Sequence, residues 1–433
     1  MNDAPRPGTR PPAPQPRPAR QSGSARQSGS AQRPPPARPR RGGRWTRALG
    51  DRLRGGELGS LPVLISLASI WLIFAALDEK FLSPRNLSNL SVDIVGTGLI
   101  AVGVVFVLLL GEIDLSVGSV SGLAAAAFAV LNVQHGMAET PALLLALAMG
   151  TAIGFFHGVV FAKVGVPAFV VTLAGLLGWN GLMLYILGST GTVNLDDQGL
   201  VAMLTGYYFH YVAVAYGVAA LGVIGYFTVS FRDARRRAAA GVPFRTPREI
   251  AVRTVALAVV VFAAAYVLNR FQGLPLALLI FIAVLVALDY VLRRTAYGRM
   301  VFALGGRVEA ARRAGLAVDR VRISVFMMSG TMAALGGLFL ASRVTSASQS
   351  SGGGNLLMNA IAAAVIGGTS LFGGRGRVWS ALLGVLVIQS IASGVALLGI
   401  RGAVQFMITG GVLLVAVVID SLSRRAQKAH GRV

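Results

Sequence analysis

From residue 61 onward the chain alternates long apolar runs with short polar breaks, and about 17 to 25 apolar residues are what a helix needs to cross the hydrocarbon core of a bilayer. Twelve runs approach that length: Leu61 to Leu77, Val92 to Leu110, Val117 to Val133, Pro141 to Ala162, Val166 to Gly188, Tyr207 to Phe231, Ala251 to Leu268, Leu274 to Leu292, Val321 to Ala341, Leu357 to Phe372, Val378 to Leu398 and Val404 to Ile419. The pattern predicts an all-α fold, a polytopic transmembrane helical bundle of about 10–12 spans with some broken or re-entrant helices. The runs lack the short alternating strands of a β-barrel, and the 54 glycines suit close helix packing.

Composition agrees, with 54% hydrophobic and 13% charged residues, where a soluble domain carries about 25% charged. A soluble enzyme is excluded. The formal charge of +23 is uneven: residues 1–54 hold 13 Arg against Asp3 and Asp51. Residues 1–56 are rich in Pro, Arg, Ser and Gly, with a near-duplicated QSGSAR/QSGSA at Gln21 to Ala31, and are expected to be a disordered cytoplasmic tail. No aromatic residue interleaves the arginines before Trp45, so no nucleic-acid partner is expected; a topology signal in contact with membrane lipid fits better. Residues 57–422 are expected to form the transmembrane domain, with a cytoplasmic loop at 293–320, and residues 423–433 a basic cytoplasmic C-terminus. With the tail inside, twelve crossings put Arg232 to Arg248, Arg293 to Arg322 and Arg424 to Lys428 on the same face, as the positive-inside rule requires. Both termini are therefore expected in the cytoplasm.

Catalytic chemistry finds no foothold. Lys80, Lys163 and Lys428 are the only lysines and none follows a phosphate-binding GxxxxGK[ST] loop; the four histidines are scattered without ligand spacing, and cysteine is absent. No catalytic residue and no metal or cofactor of its own is expected, which leaves transport, channel function or signalling.

Four segments are polar or Gly-rich where apolar continuity is expected. In Gly111 to Ser119, Glu112, Asp114 and Ser116 precede a helix whose free N–H groups favour negative charge, so the acids either cap that helix or act in coupling or gating. In the loop Thr295 to Leu316, Gly305 and Gly306 permit a sharp turn into a short helix over Glu309 to Ala314, and Gly315 ends it. In Val365 to Arg377, Gly367, Gly368 and Thr369 open a glycine-rich stretch that suggests a broken helix. Finally, Thr172, Trp179, Asn180, Asn359, Gln389, Gln405 and Thr409 are polar within runs, serving either interhelical hydrogen bonds or a sugar pathway.

These segments carry a resemblance. GEIDLSVGS at Gly111 to Ser119, VPAFVVTLAGLL at Val166 to Leu177, TAYGRMVFALGGRVEAARRAGL at Thr295 to Leu316 and IAAAVIGGTSLFGGRGRV at Ile361 to Val378 resemble, in order, the permease subunit of bacterial sugar ABC importers. The resemblance runs from about Asn86 to Asp420, and the pair of runs around Tyr207 to Leu268 makes it the xylose rather than the shorter ribose type. It implies a permease homodimer in the inner membrane, two cytosolic ATPase subunits that use ATP and Mg, and an extracytoplasmic sugar-binding protein. By family position Arg299, Gly305, Gly306, Glu309 and Gly315 are expected to couple to the ATPase. Glu112, Asp114, Ser116, Gly367, Gly368 and Thr369 are expected to transmit or gate, and Asn180, Asn359 and Gln389 to line the sugar pathway. Arg307 stands where the family usually has Asn, which weakens capping of the short helix. Other readings are a permease for branched-chain amino acids or nucleosides, a proton-coupled carrier working through Glu112 or Asp114, and a membrane scaffold acting through the basic tail.

Overall fold

The computed structural model describes residues 61–429, so the tail expected at residues 1–56 lies outside the described residues. Each of the twelve apolar runs contains one helix. They are α1 (Leu61–Leu77), α2 (Pro84–Leu109), α3 (Val117–Ala129), α4 (Glu139–Val159) and α5 (Ala168–Leu187), then α7 (Val212–Ala239), α8 (Pro247–Asn269), α9 (Leu276–Arg294), α12 (Val318–Val344), α13 (Leu356–Ile366), α14 (Trp379–Leu397) and α15 (Gly402–Ala429). Short helices α6 (Leu200–Gly206), α10 (Ala296–Gly306) and α11 (Val308–Arg313) fall between them. Nine of the described helices are long and apolar enough to cross a membrane, while α1, α13 and the apolar part of α15 are shorter. Because α15 runs unbroken to Ala429, the C-terminus expected as a separate segment from residue 423 continues the last helix.

Burial sets the architecture. Of its apolar window, 94% is buried for α2, against 11% for each of α7 and α8. A helix apolar all round is buried all round, and α2 is enclosed by α8, α9, α12, α13 and α14. Helices α7 and α8 pair with each other at the periphery.

Helix α12 packs on α4 along Gly150, Gly154 and Gly158, three glycines one turn apart. A side chain at Gly150 or Gly154 would overlap the α12 backbone at Gly330 or Phe326, and one at Gly158 would crowd Ile323. Small residues at this spacing let backbones approach as side chains would not.

One end of the bundle carries two small antiparallel sheets. Strand β1 (Thr192–Asn194) pairs with β4 (Ser346–Ser348), Val193 opposite Ala347, and β2 (Tyr208–Phe209) pairs with β3 (Leu274–Pro275). The Glu139 carboxylate at the start of α4 accepts the Leu200 and Val201 N–H groups and so caps α6. The other end holds the arginine-rich segments, with Arg294 of α9 paired to Asp233 of α7 at 3.6 Å.

The tenth run is a genuine break. Helix α13 stops at Ile366 after 11 residues, about 16 Å at 1.5 Å per residue and about half a hydrocarbon core. Gly367 caps it, and the rest of the expected run, to Phe372, is not helical. On its other side, Ser351 and Gly352 of the loop before α13 press against Gly118 and Gly122 in the first turns of α3.

Candidate functional site

Between α9 and α12 the chain builds two short helices where one is expected. Thr295 starts α10, its Oγ1 accepting the Gly298 N–H at 3.3 Å. Val301, Leu304 and Ala311 are buried, and Val308 and Leu316 pack against the same core, which docks α10 and α11 on the bundle by one face. Tyr297 adds a tie to α12, its hydroxyl 3.0 Å from Ser324 Oγ; burial raises its pKa against the lowering effect of that bond. The opposite face exposes Arg299, Arg307, Glu309, Arg312 and Arg313.

Two details correct the expected turn. Gly305 and Gly306 form the last turn of α10, and the chain turns instead at Arg307, at φ −152 and ψ 101. As the Arg307 replacement implies, no side chain caps α11, because a guanidinium offers no acceptor. Gly315 ends the segment at φ 78, as expected.

Gly305 has a reason of its own. The Leu109 carbonyl at the end of α2 accepts the Gly374 N–H at 2.9 Å, and a methyl group at Gly305 would overlap that same carbonyl. Gly373, in the left-handed region at φ 81, would place a Cβ 2.8 Å from the Gly305 oxygen and 2.9 Å from the Gly111 nitrogen. Three motifs widely separated in sequence thus meet through bare backbone: the loop after α2, the end of α10, and the segment after α13. The third is held by the Ser370 N–H to Arg375 carbonyl bond at 2.9 Å. Gly367 lets α13 lie against Ser380 of α14, Gly368 takes φ 101, and Thr369 is buried, so all three shape the break.

The two acids of the loop after α2 separate. Glu112 is half-buried; burial raises its pKa and the Arg322 charge lowers it. Arg322 itself lies over the Phe161 ring at 4.5 Å. Asp114 is 4% exposed and accepts the Ser116 N–H at 2.9 Å, the Ser116 hydroxyl at 2.6 Å and the Ser329 hydroxyl at 2.8 Å. It caps no N–H of the helix itself but holds Ser116, the residue that leads into α3, and ties it to α12. Ser329 stands 11 residues into α12, about 16 Å from its first residue, so this carboxylate lies well inside the bundle.

The network continues outward. Ser116 Oγ is 3.3 Å from His157 Nδ1, and Trp179 Nε1 donates to His157 Nε2 at 3.0 Å. An indole can only donate, so Nε2 accepts and the proton of a neutral ring resides on Nδ1, pointing at Ser116. One chain of bonds joins α12, the loop before α3, α4 and α5. An open apolar cleft of about 400 Å³ between α4 and α5 reaches the His157 and Trp179 end of it. Sequence reading missed His157 and Ser329, which lie 41 and 215 residues from their partners. A single histidine inside an apolar run is the one signal that could have pointed there.

The expected pathway residues stand apart. Among the described residues Asn180, Asn359 and Gln389 are half-buried and make no side-chain hydrogen bond, unlike Trp179 and Thr172. Helices α13 and α14 run side by side, Ala363 against Gly384 and Gly367 against Ser380, which sets Asn359 and Gln389 at one level. Asn180 lies on α5, which packs on α3 and α4 instead.

Among the described residues, nine helices are long and apolar enough to cross a membrane, and a charged two-helix element is docked on the bundle they form. Residues 86–417 match the family described as branched-chain amino acid transport system / permease component, and the chain belongs to that family. Its relatives include the xylose transport system permease protein XylH of Escherichia coli (strain K12), 34% identical over 86% of this chain and 94% of that protein. The XylH protein of Haemophilus influenzae is 35% identical over 86% and 99%, and the ribose import permease protein RbsC of Bacillus subtilis (strain 168) 30% over 84% and 94%. The resemblance drawn from the four motifs is borne out, and the chain is a multi-pass inner-membrane permease. No solved structure matches it.

Proposed function

We propose that this chain is the membrane subunit of an ABC importer that carries a monosaccharide, D-xylose or a similar pentose, into the cytoplasm by alternating access. The relatives named for xylose and ribose transport support the sugar, and the two-helix element α10–α11 supports coupling to a separate ATPase that uses ATP and Mg. The observation that carries the reading is the junction at Gly305. An exposed element, bearing Arg299 and Glu309, presses its backbone on the end of α2 and on the break after α13, which in turn meets Gly111 of the loop before α3. A partner that moves α10–α11 moves both joints at once, which is how a local push biases two global states.

In this reading the arginine-rich end faces the cytoplasm, by the positive-inside rule. The end with the two sheets faces an extracytoplasmic sugar-binding protein, and two copies of the chain enclose one pathway. Gly306 and Gly315 belong to the docking element, Glu112, Asp114, Ser116, Gly367, Gly368 and Thr369 to the joints, and Asn180, Asn359 and Gln389 to the pathway. A proton-coupled carrier working through Asp114 is less well supported, because Asp114 is buried and already accepts three hydrogen bonds.

The test is uptake of xylose and of ribose into proteoliposomes holding the chain with its ATPase and binding protein, with ATP supplied or withheld and the proton gradient collapsed. Uptake that needs ATP and survives collapse is expected, as is its loss in Glu309→Ala with an unchanged thermal midpoint. Uptake by the chain alone that vanishes with the gradient would overturn the reading.

A further inference from the structure

The peripheral pair α7–α8 carries a charged surface that the junction does not use. Between residues 232 and 253 lie Arg232, Arg235, Arg236, Arg237, Arg245, Arg248 and Arg253, with Asp233 and Glu249 the only acids. Both acids are engaged: Asp233 pairs with Arg237 at 3.3 Å and with Arg294 at 3.6 Å, and Glu249 closes a capping box with Thr246 at the start of α8. The other six arginines are exposed, and none has an ion-pair partner among the described residues. Such a cluster of unscreened like charges is stabilised by anions supplied from outside the chain.

The neighbouring helix face names the kind of anion. Leu221, Ile224, Phe227 and Phe231 follow one another at steps of three or four along α7, so they share one face, and they are 71%, 58%, 43% and 37% exposed. Phe227 and Phe231 stack at 5.8 Å, and the next residue on that face, Arg235, sets its guanidinium 5.1 Å from the Phe231 ring. An apolar stripe open to the membrane thus ends in two aromatic rings and then a cation, the order in which a lipid presents its chains, interface and headgroup. Helix α7 has 28 residues, about 42 Å, longer than the core by about 12 Å, so its arginine turn reaches the headgroup layer.

We propose that the cytoplasmic end of α7–α8 is a binding surface for anionic phospholipid headgroups, with Arg232, Arg235 and Arg236 holding the phosphate and the stripe from Leu221 to Phe231 lying along the acyl chains. An acidic protein surface would satisfy the charges but leave the stripe unexplained.

The full-length chain in nanodiscs of phosphatidylcholine mixed with phosphatidylglycerol, then stripped in detergent and weighed by native mass spectrometry, tests the assignment. The unaltered chain retains phosphatidylglycerol in preference to phosphatidylcholine. Arg232→Gln/Arg235→Gln/Arg236→Gln retains it at least about tenfold less, with an unchanged thermal midpoint in phosphatidylcholine, while Arg401→Gln at an exposed site outside the patch behaves as the unaltered chain. If the triple variant does not fold, Arg245→Gln/Arg248→Gln carries the same expectation. Equal retention in variant and unaltered chain, or equal loss in Arg401→Gln, overturns the proposal. So does a variant that keeps its lipid but no longer captures the ATPase subunits, which would assign the patch to a protein partner.

Discussion

Asp114 shows what one side chain can hold. A buried carboxylate with three donors gains charge-assisted bonds worth about 1.5–3 kcal/mol each when broken singly, and its donors come from the start of α3 and from α12. Asp114→Asn turns an amide N–H₂ toward one of the serine hydroxyls, so we expect a loss of about 2 kcal/mol and a lower unfolding midpoint in detergent; an unchanged midpoint would detach Asp114 from this role. Glu112 is a separate case. Its raised pKa means that ionisation is disfavoured in the folded state, so the stability it contributes is present at low pH and is lost as pH rises through the folded pKa. Glu112→Gln is therefore at least as stable as the native chain at neutral pH, and a midpoint-against-pH series should show the two converging as the carboxyl becomes protonated. Asp114 was legible as a candidate because an acid beside an apolar run is conspicuous, whereas Ser329 and His157 looked ordinary until the fold set them against it.

At the scale of elements, apolar run length located the twelve helices, and glycine placement located their interruptions. The position of the Arg307 turn was not legible, because the constraint on Gly305 comes from the Leu109 carbonyl of another segment and not from local backbone preference. Nor did the sequence show α10: four of its residues are glycine or β-branched, and its stability comes from burying Val301 and Leu304. The contact yields a sharp expectation for Gly305→Ala. The added methyl displaces the end of α10 from the end of α2, and ATP-driven uptake falls at least about tenfold, as misplacing a preorganised contact commonly does. Ala303→Ser, on the exposed side of the same helix, leaves uptake intact. Equal effects from the two changes would show that the loss does not come from the junction.

Across the whole molecule, the enclosed α2 and the peripheral α7–α8 mark the extremes of burial. The family match starts at residue 86, beyond the arginine-rich tail, so removing Met1 to Arg54 is expected to leave the uptake rate in proteoliposomes of fixed orientation unchanged; a lost rate would give the tail a part in transport. The pairing of α4 with α12 has a mechanical consequence. Interlocked side chains resist sliding as cogs do, since each must leave its notch before its helix can advance. Gly150, Gly154 and Gly158 offer few cogs: they meet the α12 backbone at Gly330, Phe326 and Ile323, with the Ala334 methyl beside Gly150 and one hydroxyl pair, Thr151 and Thr331, across the seam at 2.7 Å. Such a seam works as a bearing surface, along which a small shear between two blocks of helices is expected to force fewer rotamers from their wells than between interlocked faces.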